Sequence, residues 1–276
     1  MSFIPKHSSV FLYSLILAFF FGSVGTSLAS DSLKGAHAYA SGDYQTALQV
    51  WTSVAVDGDA DAQIGLGELY YLGLGVQKNL KTAYKWFTRA AEQGNAVAQF
   101  QVGVMHHWGQ GVPQDYETAI EWYTLAADQG YLGASFNLGW MYQHGDGVPL
   151  DLETAFKWYL QSAEKGNAEA QVMVAVMYSR SEGVQEDYDA STEWYRLAAG
   201  QGHPRAQSQL GLIYAIGIGV PKDSVTAYMW LELAKINGDQ NAKPSMASVA
   251  KRMTAAEIDR AKALARGCLE KEYKNC

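Results

Sequence analysis

A period of 36 residues runs through most of this chain and limits what it can fold into. Tryptophan recurs with that step at five positions: Trp86, Trp122, Trp158, Trp194 and Trp230. Glycine recurs in the same register at six positions: Gly58, Gly94, Gly130, Gly166, Gly202 and Gly238. An alanine series and a valine series keep the same step. Such a fixed period indicates a repeat architecture in which each copy is one supersecondary unit.

Each copy contains the signals of two short helices, which we call helix A and helix B. In the first full copy, Ala62, Leu66 and Leu69 follow the spacing of one helical face. Gly73 is expected to end helix A, because glycine adopts the left-handed conformation without steric cost. Asn79, replaced by aspartate in later copies, is a good N-cap for helix B. We expect neighbouring copies to stack, with the tryptophan of helix B buried between them.

Residues 134–166, ASFNLGWMYQHGDGVPLDLETAFKWYLQSAEKG, carry in order an alanine, an LG pair, a tyrosine, a G-x-GV segment, an aspartate and a WY pair. In this pattern the repeat resembles the Sel1-like family, a relative of the tetratricopeptide repeats. The resemblance implies an all-α fold, a right-handed α-solenoid, or superhelix, of helix-turn-helix repeats. It also implies a protein-binding scaffold that uses a concave helical surface.

The register predicts how the chain is divided. Five full repeats are expected at 59–94, 95–130, 131–166, 167–202 and 203–238. Residues 30–58 resemble a shortened, tetratricopeptide-like helix pair, and residues 239–276 are expected to form capping helices. Thr254 and Glu257 predict a capping box at the start of the last helix. Three positions depart from the repeat, since Ser181 replaces a loop glycine, Ser191 replaces a helix B alanine and His106 replaces a tyrosine.

The first 29 residues have the features of a secretory signal peptide. Lys6 precedes a mostly apolar run at 10–21, and the small-x-small sequence at 27–29 predicts cleavage after Ala29. The alternative is a retained membrane anchor, but a spanning helix needs about 20 apolar residues. We therefore expect a periplasmic or secreted protein without a stable membrane span after cleavage.

The net charge and the absence of common catalytic motifs argue against a nucleic-acid-binding protein and against the common enzyme classes. The chain has 28 Asp and Glu residues against 21 Lys and Arg residues, a formal net charge of −7. Nucleic acid is a poor partner for it, because phosphate binding needs Lys and Arg. No nucleophile elbow, zinc-protease motif or P-loop occurs in the sequence. We expect a non-enzymatic scaffold or adaptor, without catalytic residues or cofactor, that binds a protein or peptide of the cell envelope or host. The alternative is a peptidoglycan- or envelope-associated enzyme or accessory factor, which a cleft with two buried acidic residues would favour.

The histidines are candidate metal ligands, and the cysteines are candidates for a cross-link. His106, His107 and His144 are candidate ligands because residues 107 and 144 are about one repeat apart, but no carboxylate or cysteine recurs at ligand spacing, so no metal is expected. Cys268 and Cys276 are the two cysteines of the chain. In an exported protein they are expected to form a disulfide, with two free thiols as the alternative.

A partner surface can be predicted by analogy with tetratricopeptide arrays, in which helix A lines the groove. The corresponding slots of this chain vary between copies, while the packing slots do not. In the middle copies they hold a set of aromatic and cationic residues: Phe100, His107, Trp108, Phe136, Trp140, His144 and Arg180. Aromatic and arginine side chains commonly anchor interfaces, so we expect protein binding there. The alternative is that these rings pack against each other between adjacent A helices.

Overall fold

The computed structural model describes residues 26–273 and Cys276. In this part the chain forms fourteen α-helices and no strand, which confirms the all-α prediction. The helices are α1 (Thr26–Ala40), α2 (Tyr44–Ala55), α3 (Ala60–Leu72), α4 (Leu80–Glu92), α5 (Ala96–Trp108), α6 (Tyr116–Asp128), α7 (Leu132–His144), α8 (Leu152–Glu164), α9 (Ala168–Arg180), α10 (Tyr188–Ala199), α11 (Pro204–Ile216), α12 (Ser224–Ile236), α13 (Ala242–Ala250) and α14 (Ala255–Glu270). The described helices are all too short or too polar to cross a membrane. Most of the predicted signal peptide, residues 1–25, lies outside the described residues.

The chain divides into two compact units, one ending at Asp115 and one beginning at Tyr116. In the first unit, α1 packs on α2 and α3, and α3 pairs with α4, which in turn contacts α5. Trp51 fills the start of this unit and is 1% exposed. Its Nε1 donates to the Ser32 carbonyl oxygen at 3.1 Å. Gly35 and Gly65 flank the indole, and a Cβ at either position would overlap the ring.

In the second unit, α7 pairs with α8, α9 with α10 and α11 with α12, and each pair stacks on the next. This is the helix-turn-helix solenoid that the repeat implies. The C-terminal helices differ from the repeats, because α14 packs chiefly on α12 rather than on α13. Ala261, Ala265 and Cys268 of α14 are buried in the core that contains α12. The predicted capping box is present, with reciprocal hydrogen bonds between Thr254 and Glu257.

The helix ends follow the predicted capping chemistry. Each A helix ends before a residue in the left-handed conformation: Gly73, Gly109, Gly145, Ser181 and Gly217. Most B helices begin after an Asn or Asp whose carbonyl or carboxylate oxygen accepts a backbone N–H of the first turn: Asn79, Asp151, Asp187 and Asp223. Ser181 has a φ of 55°, a conformation that costs a non-glycine residue roughly 1–2 kcal/mol.

The buried face of helix B lies one residue further along than expected. Four of the repeat tryptophans are half-buried: Trp86, Trp122, Trp158 and Trp194. Trp230 alone among the five is buried, at 6% exposure. The residue after each tryptophan is buried in every copy: Phe87, Tyr123, Tyr159, Tyr195 and Leu231. The expectation that tryptophan occupies the buried slot was therefore wrong for four copies. The cause lies in helix A, where Gly67 and Gly139 leave room for the rings of Phe87 and Tyr159.

A buried glutamine joins successive repeats and was not anticipated from the sequence. At this slot a side-chain Nε2 donates to the carbonyl oxygen eight residues earlier, at 2.9–3.3 Å, in four copies: Gln63, Gln99, Gln171 and Gln207. These carbonyls belong to the last turn of the preceding B helix, and each also accepts the backbone N–H of the glycine three residues further along. The third copy has Ser135 instead, and Gln161 of α8 donates to the Ala127 oxygen at 3.3 Å. The corresponding carbonyl in this copy thus receives its side-chain donor from a different helix.

Candidate functional site

One groove slot is exposed in every copy, and it is the last residue of helix A. We call the five residues of this slot the A-helix column: Leu72, Trp108, His144, Arg180 and Ile216. Each precedes the left-handed residue that ends its helix, so the following turn leads the chain away and leaves the side chain in solvent. The first two belong to the first unit and the other three to the second. Each residue of the A-helix column differs in side-chain chemistry from the residue of the neighbouring repeat.

The predicted residues of the first unit lie on α5. Trp108 is 45% exposed, whereas His107 is 2% exposed and Phe100 is half-buried. The rings of His107 and Trp108 are stacked, with centroids 4.6 Å apart. A partner would therefore meet the indole of Trp108, with the imidazole of His107 behind it.

The predicted residues of the second unit lie on α7 and α9. Phe136 is half-buried, and its ring centroid lies 5.3 Å from that of Tyr159 on α8, the helix B of the same repeat. Trp140 stacks on exposed His144 with centroids 3.8 Å apart, and His144 Nδ1 lies 2.9 Å from the Trp140 carbonyl oxygen. Arg180 is exposed, and its guanidinium lies 3.7 Å from a Glu182 carboxylate oxygen. Exposed pairs of this kind contribute about 0–1 kcal/mol, so Arg180 remains available to a partner.

The histidines considered as metal ligands have other contacts. His106 Nε2 lies 3.1 Å from the Tyr84 hydroxyl, and burial lowers the pKa of this histidine, partly offset by Asp115. His107 stacks on Trp108, and His144 stacks on Trp140 in the other unit. Among the described residues no group of three or more His, Cys, Asp or Glu could hold a metal ion.

Glu68 on α3 is the one acidic residue of the described part that is buried. It is 5% exposed, and its Oε2 has no hydrogen-bond partner among the described residues. Burial raises the pKa of Glu68 to about 7, against a lowering effect of the Tyr39 hydroxyl of α1. The same slot holds Val104, Trp140, Val176 and Leu212 in the other copies. The sequence marks Glu68 as unusual because its slot is otherwise apolar. The burial of Glu68 depends on α1, which the repeat pattern does not include. The described residues thus lack the pair of buried acids that the enzyme alternative would favour.

The C-terminal tail is held by a disulfide and a hydrogen bond. Cys268 and Cys276 are bonded, with Cα atoms 5.5 Å apart, which confirms the predicted pairing. The Tyr273 hydroxyl donates to Asn237 Oδ1 at 2.8 Å and ties the tail to the end of α12. The bond closes a short loop, so its entropic effect is local to the cap.

Comparison with known proteins places these features in a family. Five segments match the Sel1 repeat: residues 60–95, 96–131, 133–167, 168–203 and 204–239. A Sel1 repeat protein from Oxalobacter formigenes is 32% identical, with a TM-score of 0.75, over 86% of this chain and 99% of that chain. The protein c5321, a protective antigen present in uropathogenic Escherichia coli strains and displaying an SLR fold, is 27% identical. That match has a TM-score of 0.55 and covers 90% of this chain and 63% of the antigen.

No curated protein sequence matches the chain. Sel1 repeat proteins generally mediate protein–protein interactions, and their fold is typically a non-enzymatic scaffold. The repeat matches together cover more than half of the residues, in the register of the five helix pairs from α3 to α12. This chain belongs to the Sel1 repeat family.

Proposed function

We propose that this chain is a non-enzymatic scaffold of the cell envelope or the extracellular space, and that it binds a protein or peptide through the A-helix column. The observation that carries the proposal is the exposure of one chemically distinct side chain at the end of every repeat A helix. Packing explains why the buried slots recur, but it does not require Trp108 or Arg180 at solvent-exposed positions. Aromatic and arginine side chains carry most of the affinity in many interfaces.

Two ring stacks, one in each unit, support binding at the A-helix column. Each places an indole against an imidazole, and each includes one residue of the A-helix column. Holding the rings in fixed positions lowers the entropy lost when a partner binds. We therefore propose Trp108, Trp140, His144 and Arg180 as the contacting residues, with Phe100, His107 and Phe136 supporting them from below.

The contacts of α1 support export and cleavage after Ala29. Three contacts that hold α1 in the first unit involve residues that follow this position. The Ser32 hydroxyl donates to Asp59 Oδ1 at 3.0 Å, Gly35 lies against the Trp51 ring, and Tyr39 approaches Glu68. Removal of residues 1–29 would leave these contacts in place. Mass spectrometry of protein recovered from the periplasm or the medium should find Ser30 as the first residue. A full-length chain retained in the membrane fraction would contradict export with cleavage.

Site-specific photo-crosslinking in the native envelope tests the binding surface. A photoreactive amino acid is placed at Trp108 or Ile216 of the column, or at the control position Leu197 on helix α10. Leu197 is 52% exposed, so the control residue is as accessible as the column. We expect both column positions to capture one common partner and the control to capture none of it. Capture from Leu197 alone would place binding on the B-helix side.

A further inference from the structure

Basic residues are concentrated in the C-terminal cap, residues 240–276. This segment holds eight of the 21 Lys and Arg residues of the chain but only four of its 28 Asp and Glu residues. Most of its described basic residues are exposed: Lys243, Lys251, Arg252, Arg260, Arg266 and Lys271. The cap is therefore basic and the rest of the chain is acidic, although the net charge of the whole chain is negative.

The cap contains a groove between α12 and one side of α14. Its cavity has a volume of about 310 Å³, and its apolar lining comes from Met229, Ala263, Leu264 and Gly267. Leu264 is 44% exposed although it belongs to this apolar lining. Glycine inside a helix costs about 1 kcal/mol relative to alanine, yet a Cβ at Gly267 would meet nothing within 4 Å. Packing within the chain therefore gives no reason for Gly267, and the space beside it is open.

Two basic side chains border the same groove. Arg260 on α14 and Lys271, the C-cap of that helix, belong to its lining and lie eleven residues apart, about 16 Å along the helix axis. Arg260 also interacts electrostatically with Asp223, the N-cap of α12. An apolar groove with a basic residue towards each end fits a segment that presents an apolar or aromatic side chain between acidic ones.

The second unit itself exposes a segment of that kind at the start of α10. Glu186, Asp187, Tyr188 and Asp189 are consecutive and all exposed. Tyr188 is 42% exposed, and its hydroxyl donates to Glu186 Oε2 at 3.1 Å. The first full copy has Lys-Asn-Leu-Lys at 78–81, so the acidic composition is not a requirement of the repeat.

We propose that the groove between α12 and α14 of one copy binds the Glu186–Asp189 segment of a second copy. Tyr188 enters the apolar cavity, while the neighbouring carboxylates face Arg260 and Lys271. A tyrosine suits this role because it presents an apolar ring and a polar tip. The two surfaces are different, so the contact is heterologous and leaves a free groove and a free segment at the ends of each assembly. This association is independent of partner binding at the A-helix column.

Sedimentation velocity of the cleaved, disulfide-bonded chain over a wide concentration range provides the first test. We expect the average mass to rise beyond a dimer at low salt and to fall as salt screens the charges. Lys271→Glu and Tyr188→Ala should each return the chain to a monomer. Lys243→Glu, the same charge change at an exposed position outside the groove, should associate like the parent chain. Combining Lys271→Glu with Glu186→Lys should restore association. If Lys271→Glu had prevented association by damaging the fold, the second substitution would not restore it.

A fluorescent peptide of residues 182–193 provides the second test, by anisotropy against the full chain. We expect binding that Lys271→Glu weakens about tenfold, since like charges replace opposite ones. A chain that stays monomeric and does not bind the peptide overturns the proposal. Peptide binding by a chain that stays monomeric overturns the second copy as the occupant and assigns the groove to an acidic segment of another protein. Association that survives both Lys271→Glu and Tyr188→Ala overturns the assigned surfaces.

Discussion

The ring of Tyr159 lies directly against Gly139, and a Cβ added to that glycine would come 2.8 Å from the ring. Tyr159 is fully buried, and its hydroxyl donates to Gln143 Oε1 at 2.9 Å. A helix A glycine and a helix B ring therefore form one packing unit across the hairpin. The adjacent Trp158, although it belongs to the most regular series in the sequence, is only half-buried.

This relationship predicts unequal costs for two neighbouring truncations. Tyr159→Ala should lower the free energy of unfolding by about 3–5 kcal/mol, because it empties a fully buried site. Trp158→Ala should cost clearly less, because much of its ring is already in contact with water. Chemical denaturation of both variants measures the difference. A larger loss for Trp158→Ala would show that the buried face has been assigned one residue out of register.

The left-handed residue at the end of α9 predicts a stabilising substitution. Ser181 has a φ of 55°, while the corresponding position in the third copy is Gly145 with a φ of 76°. Ser181→Gly should raise the free energy of unfolding by up to about 1 kcal/mol, because glycine adopts this conformation without steric cost. The gain is reduced by loss of the 3.3 Å hydrogen bond from the Ser181 hydroxyl to the Val184 carbonyl oxygen. The reverse exchange, Gly145→Ser, serves as the matched control and should destabilise the chain. Equal stability of all three proteins would exclude strain at Ser181.

Burial of Glu68 predicts a loss of stability as the pH rises. Its folded pKa is about 7, against 4.5 for an unperturbed glutamate. Between these values the folded chain binds more protons than the unfolded chain, so stability falls as pH increases through this window. The full effect is roughly 3 kcal/mol, since each pKa unit corresponds to about 1.4 kcal/mol. Denaturation at several pH values should show this slope.

Two variants test whether Glu68 causes this pH dependence of stability. Glu68→Gln should remove the slope between pH 4.5 and 7 and should unfold later than the parent chain at alkaline pH. Glu92→Gln, at an exposed position on α4, should leave the slope unchanged. The comparison with the parent also cancels the opposite trend expected from His106, whose lowered pKa favours the folded state at higher pH. An unchanged slope in Glu68→Gln would mean that the carboxylate is hydrated in solution.

Local sequence signals were sufficient for the helices and their ends. Gly73 and Asn79 specify a helix end and a helix start through conformations that depend only on neighbouring residues. The choice between Trp158 and Tyr159 as the buried ring was not available locally, because both lie near the apolar face of helix B. Gly139, on a different helix, makes that choice. The burial of Glu68 was hidden for a similar reason, since Tyr39 on α1 approaches it from another element.

The sequence predicted which face of helix A carries the candidate site, but it did not predict which side chains on that face are exposed to solvent. Periodicity placed Phe136 and His144 on the same side of α7, yet one packs on Tyr159 and the other is exposed. The difference arises at the end of the helix, where the chain turns away after residue 144. The periodicity of α14 also could not predict which helix its buried face contacts, because α14 packs on α12 rather than on its neighbour α13.

The central claim is that exposed residues of the A-helix column bind the partner while contributing little to the fold. The most direct test measures the affinity of the crosslinked partner for Trp108→Ala and Arg180→Ala, beside the melting temperature of each variant. We predict that both lose at least about tenfold in affinity, as interface anchors of these types do, while their melting temperatures stay close to that of the parent chain. Leu197→Ala, an exposed truncation on helix α10, should change neither quantity. Lowered melting temperatures with unchanged affinity for the partner would contradict the account and would make the column a packing feature.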